Sequence, residues 1–109
     1  MATIKSYTDL QQSKMLAEIL SPESADMYYK EWRLDTKSIH IAHVGTAGKV
    51  NLPCWSLAAL LDVLPSATLD SSDNHRYRFY CMERYTEWYN NPIDACVAMI
   101  KRLNKLNLL

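Results

Sequence analysis

Met27-Tyr28-Tyr29-Lys30-Glu31-Trp32 and Ile39-His40-Ile41-Ala42-His43-Val44, separated by the polar stretch Arg33 to Ser38, decide the fold class of this chain. The first segment is rich in aromatic residues and contains no breaker. The second alternates, which places Ile39, Ile41 and His43 on one face of a strand. The polar stretch between them reads as the turn of a hairpin. Two further segments have strand character: Arg76 to Met82, with Tyr77, Phe79 and Cys81 on one side, and Arg84 to Tyr89, for which a helical turn is the alternative.

Helical signals surround these strands. Thr8 and Gln11 have capping-box spacing, and Leu10, Leu16, Ala17, Ile19 and Leu20 make an apolar stripe that Ser21-Pro22 ends. Leu52-Pro53 leads into a second helix with proline in its first turn. Trp55, Leu57, Ala58, Leu60, Leu61 and Leu64 leave only a narrow polar strip at Ser56, Ala59 and Asp62, the pattern of a central helix. Pro65 closes it, and Ser66 to Asn74 is a polar loop. Asn91-Pro92-Ile93-Asp94 is the clearest local signal, an N-cap followed by an N1 proline and a first-turn acid. Ile93, Cys96, Val97, Ile100 and Leu103 then recur at helical spacing. The expected fold is α+β in the order α-β-β-α-β-β-α, one antiparallel sheet of about four strands with helices on one face. With 109 residues, 49% of them hydrophobic, the chain fits a single globular domain over 1–109.

Charge narrows the function classes. The 12 basic and 12 acidic residues cancel, and they also balance on either side of Pro53. A protein that neutralises many phosphates carries a basic excess, so neither nucleic acid nor an anionic membrane is called for. Cys54, Cys81 and Cys96 are odd in number and widely spaced, as in a reducing compartment rather than a disulfide framework. Met1 to Leu10 lacks a signal-peptide core, and Leu57 to Leu64 is too short to span a bilayer. Cytoplasmic localisation is the expectation.

Several motifs bear on chemistry. Cys54 near a helix N-terminus would have its thiol pKa lowered by the helix dipole, and His75, ahead of a later strand, could take its proton. That pair carries the alternative of a thiol-dependent hydrolase, although no glycine flanks Cys54 and no orienting third group is evident. His40, His43 and His75 form no zinc spacing with each other or with the cysteines, and no metal or other cofactor is expected. Gly45-Thr46-Ala47-Gly48-Lys49-Val50 has two residues between its glycines and Val50 after the lysine, which departs from a phosphate loop. A glycine turn with positive φ accounts for it. His75-Arg76-Tyr77-Arg78-Phe79-Tyr80 interleaves cations with rings, as single-stranded nucleic-acid binders do.

Ring count favours a protein partner. Tyr28, Tyr29, Trp32, Tyr77, Tyr80, Tyr85, Trp88 and Tyr89 all fall in strand-like segments, and alternation forbids all of them from facing one core. Tyr28, Trp32, Arg76, Arg78, Tyr80 and Trp88 are therefore the candidate binding residues, of types enriched at interaction hot spots.

Ser24-Ala25-Asp26-Met27, Pro53 to Leu61, Asn91-Pro92, Asp94-Ala95-Cys96, Met99-Ile100 and the Leu106-Asn107-Leu108-Leu109 terminus resemble a family of small uncharacterised proteins of gut anaerobic bacteria and their phage-like mobile elements. That family has no assigned activity, so the resemblance carries over no catalytic residue. It implies an accessory role in a bacterium or mobile element. The reading is a non-enzymatic interaction module, with a protein partner or a second copy of the chain meeting an aromatic sheet face.

Overall fold

A computed structural model of the chain describes residues 5–34, 37–47 and 51–109, and within them the side chains other than those of 31–34 and 37–39. The architecture is α+β, with three α-helices and two three-stranded antiparallel sheets among the described residues. The expected single sheet is thus two, because two short strands that local pattern does not announce each complete a separate ladder.

Helix α3 (Pro92–Lys105) forms as its sequence dictates. The Asn91 side chain accepts from the Asp94 backbone N–H at 2.8 Å, and Pro92 occupies the first turn, where a missing N–H costs nothing. Ile93, Cys96, Val97, Met99, Ile100 and Leu103 are all buried, so this helix is the central element of the core.

Helix α1 (Leu10–Ala17) starts one residue later than the Thr8–Gln11 spacing suggests. Asp9 is the N-cap and Gln12 its reciprocal partner, because Thr8 is used elsewhere. Thr8 is wholly buried, and its hydroxyl meets Ser13 Oγ at 2.8 Å and accepts from the Trp55 N–H at 3.1 Å.

Strands β1 (Met27–Leu34) and β2 (Lys37–Val44) form the expected hairpin, but the ladder runs to Leu34↔Lys37. Arg33, Leu34, Lys37 and Ser38, expected to turn, belong to that ladder, and residues 35 and 36 lie outside the described set. Strand β3 (Leu52–Cys54) replaces the expected helix start and pairs with Met27 to Tyr29 on the other edge of β1. Pro53 is tolerated there because β3 is an edge strand. Helix α2 (Leu57–Val63) begins only after Ser56, whose side chain caps Ala59 N–H at 3.3 Å. It is peripheral, not central: Ala59 and Leu60 are buried while Ala58, Leu61 and Asp62 face outward.

The second sheet has the order β4-β5-β6. Strand β4 (Thr68–Ser71) lies where a polar loop is expected, since a largely exposed edge strand needs few apolar residues. Strand β5 (Tyr77–Cys81) matches expectation, with Phe79 and Cys81 fully buried in the cluster that includes α3. Strand β6 (Arg84–Tyr85) is much shorter than the Arg84 to Tyr89 strand expected.

Asp94 ties the amino-terminal segment to α3. It accepts from Lys5 Nζ at 2.7 Å, Gln12 Nε2 at 2.7 Å and Asn91 Nδ2 at 2.8 Å. Burial alone would push its carboxyl up, but these donors outweigh burial and hold it below the ordinary 3.8. A carboxylate depressed in the folded state stabilises above its unfolded-state pKa, and that stabilisation is lost as pH falls through the folded value. Denaturant melts should show wild type losing more stability than Asp94→Asn between about pH 5 and pH 3. Equal losses in the two proteins would show that the Asp94 charge contributes nothing.

Candidate functional site

The candidate site grows from the parity of β5. Phe79 and Cys81 point to the core, so Arg78 and Tyr80 stand on the opposite face of the sheet. No helix packs against that face among the described residues. Asp70 on β4 is opposite Arg78 and holds its Nε at 3.2 Å.

The turn from β5 to β6 is two residues long, Met82 and Glu83, both with positive φ, of 51° and 63°. Those signs are what a tight hairpin of the type I′ class requires, although neither residue is one that favours it. The turn sets Tyr85 opposite Tyr80, with ring centroids 4.7 Å apart. Arg102 of α3 donates to the Tyr85 carbonyl at 2.8 Å and fixes that strand from beneath.

Beyond Tyr85 the register changes. Tyr80 pairs with Tyr85, yet Tyr77 pairs with Tyr89, one residue further along than a regular ladder allows. A one-residue insertion of this kind is a β-bulge, which re-aims the side chains after it. In a regular ladder Trp88 would oppose Tyr77 and share its core-facing side. With the bulge, Trp88 opposes Arg78 on the outer face, and Tyr89 takes the place beside the core. The bulge is satisfied internally: the Phe79 N–H donates to Thr86 Oγ1 at 2.9 Å, and that hydroxyl donates to the Glu87 carbonyl at 3.0 Å.

The result is a guanidinium between two rings. The Arg78 carbon lies 4.1 Å from the Tyr85 ring centre and 4.5 Å from that of Trp88. Tyr85 is 48% exposed and Trp88 37% exposed, so both rings retain free surface.

Of the expected binding residues, Arg78, Tyr80 and Trp88 come together here. Arg76 is exposed just before β5. Tyr28 belongs to the other sheet, where it stacks on His43 at 5.4 Å, and the Trp32 side chain lies outside the described set. Tyr85 is the member that sequence reading left out of the site. Hairpin geometry across Met82-Glu83 would have paired it with Tyr80, but that dipeptide carries none of the glycine or asparagine signal that marks such turns.

The premises of a Cys54–His75 centre are corrected. Cys54 ends β3 rather than opening a helix, and it is wholly buried. Burial pushes its thiol up despite hydrogen bonds involving Thr8, Ser13 and Tyr29, the opposite of the activation a nucleophile needs. His75 is exposed in the Ser72 to His75 turn with φ of 56°. Two surface grooves, of ≈ 570 and ≈ 590 Å³, are lined by neither residue. Gly45 has the positive φ expected of it, at 133°, and residues 48–50 of that loop lie outside the described set. Among the described residues no helix is long and apolar enough to cross a membrane.

The bulge gives a sharp test. Thr86→Val keeps the shape but leaves the buried Phe79 N–H without an acceptor, a loss of about 1–3 kcal/mol. Thr86→Ser should retain most of that stability. Chemical denaturation that finds the valine and serine variants equally stable would show that the hydroxyl does not hold the bulge.

No protein-family model matches the chain, and no curated protein or solved structure matches it either.

Proposed function

We propose that this chain is a non-enzymatic protein-interaction module whose docking face is the outer side of β4-β5-β6, centred on Arg78, Tyr80, Tyr85 and Trp88. The observation that carries this reading is the guanidinium held between two partly exposed rings on a sheet face that no helix covers. Tyrosine, tryptophan and arginine supply most hot-spot energy in protein interfaces. Here their rotamers are already restrained, by ring contacts on one side and Asp70 on the other, so a partner would meet little ordering cost.

The alternative of single-stranded nucleic acid uses the same strand, but Arg78 is less suited to a phosphate. Its charge is already offset by Asp70 at 3.2 Å, and two rings lie against it at 4.1 and 4.5 Å. Arg76 alone remains as an exposed cation on the segment from His75 to Tyr80.

A photo-reactive amino acid at Tyr85, introduced in cells of the natural host, should crosslink to one defined protein, and the same probe at Leu61 on α2 should not. Binding of that protein to the purified chain should weaken by at least roughly tenfold on Trp88→Ala. Crosslinks only to nucleic acid, or equal crosslinking from both positions, would overturn the reading.

A further inference from the structure

The other sheet presents a different surface. Its order is β2-β1-β3, so β2 is an edge strand, and among the described residues nothing pairs with its outer side. Among the described residues β3 pairs with β1 from Met27 to Tyr29. Beyond that point the described ladder, from Lys30↔Ile41 to Leu34↔Lys37, has two strands. Such a ribbon is marginal in water by itself and gains from a third strand.

Sheet edges are ordinarily blunted against pairing with another chain. Strand β3 is three residues long and contains Pro53. Strand β4 is four residues with Asp70 among them, and β6 is two residues followed by the bulge. The outer part of β1 carries Lys30, Glu31 and Arg33 in succession or near it. Strand β2, Lys-Ser-Ile-His-Ile-Ala-His-Val, has a single blunting charge, Lys37, at one end. It keeps one register with β1 over eight pairs, without proline or bulge. Ile41 is 46% exposed and Val44 84% exposed.

We propose that β2 is a dimerisation edge, at which two copies of this chain pair β2 to β2, antiparallel, about a two-fold axis. The charge pattern selects both the occupant and the orientation. The strand contains no acidic residue and one lysine, Lys37, at its end. Antiparallel self-pairing sends the two copies of that lysine to opposite ends of the new ladder, whereas parallel pairing would set them side by side. An isologous contact needs only that a surface complement itself, which an edge strand with its charge at one end does. Pairing gives each β2 a second neighbour and joins the β2-β1-β3 sheets of the two copies into one. The surface is distinct from the Arg78 face, so either assignment can fail without the other.

Light scattering on size-exclusion fractions across a concentration series tests this. Wild type should pass from monomer to dimer, and Ile41→Lys with Val44→Lys should raise the dissociation constant by at least about tenfold, because lysine blunts an edge. Both positions are exposed, and circular dichroism checks that the variant keeps its fold. If it does not, amide exchange in wild type decides: β2 protection that rises with protein concentration supports the pairing, and concentration-independent protection overturns it. A wild type monomeric throughout, a dimer untouched by the lysines, or a dimer lost on Trp88→Ala instead would each overturn it as well.

Discussion

Phe79 lies fully buried on the side of β5 that packs toward α3, and that burial settles where the rest of the strand points. Because strand side chains alternate, covering Phe79 and Cys81 forces Arg78 and Tyr80 to the other face. The neighbours then follow from pairing. Asp70 meets Arg78 across one ladder, and Tyr85 meets Tyr80 across the other. Helix α3 therefore determines the outer face from the opposite side of the sheet. Its apolar stripe sets the parity, and the face is assembled from whatever that parity excludes from the core.

One irregularity finishes the arrangement. A regular ladder would turn Trp88 inward, to the place beside Tyr77 that Tyr89 takes in the bulged strand. The bulge reverses Trp88, and Thr86 supplies the hydrogen bond that the displaced ladder no longer provides. Two strained residues, Met82 and Glu83, close the hairpin that makes this possible. Backbone strain and an inserted residue thus lie together in the short stretch that sets the Tyr85 and Trp88 rings against Arg78.

The legibility of the sequence follows from the range of the forces involved. Helix α3 was readable because its cap, its proline and its apolar period all lie within its own residues. Strand β5 was readable for the same reason, through Tyr77, Phe79 and Cys81. Strands β3 and β4 were not. Leu52-Pro53-Cys54 looks like a helix entrance until β1 is there to pair with it, and Thr68 to Ser71 looks like a loop until β5 is alongside. The same distinction divides the candidate site. Arg78, Tyr80 and Trp88 were named from residue type and alternation, while Tyr85 and the outward turn of Trp88 depend on a cross-strand register that no local pattern encodes. Cys54 shows the converse: its apparent position at a helix start dissolved once β3 formed, and burial made its thiol less acidic rather than more.

Tyr85 and Trp88 stand open on the outer face of the sheet while Trp55 and Phe79 are sealed within the core. Hydroxyl-radical footprinting of the isolated protein measures this residue by residue. Tyr85 and Trp88 should be modified rapidly, and Trp55 and Phe79 should be protected until the chain unfolds. Protection of Tyr85 and Trp88 equal to that of Trp55 would mean that the protein shelters these rings itself, and the docking face would not exist.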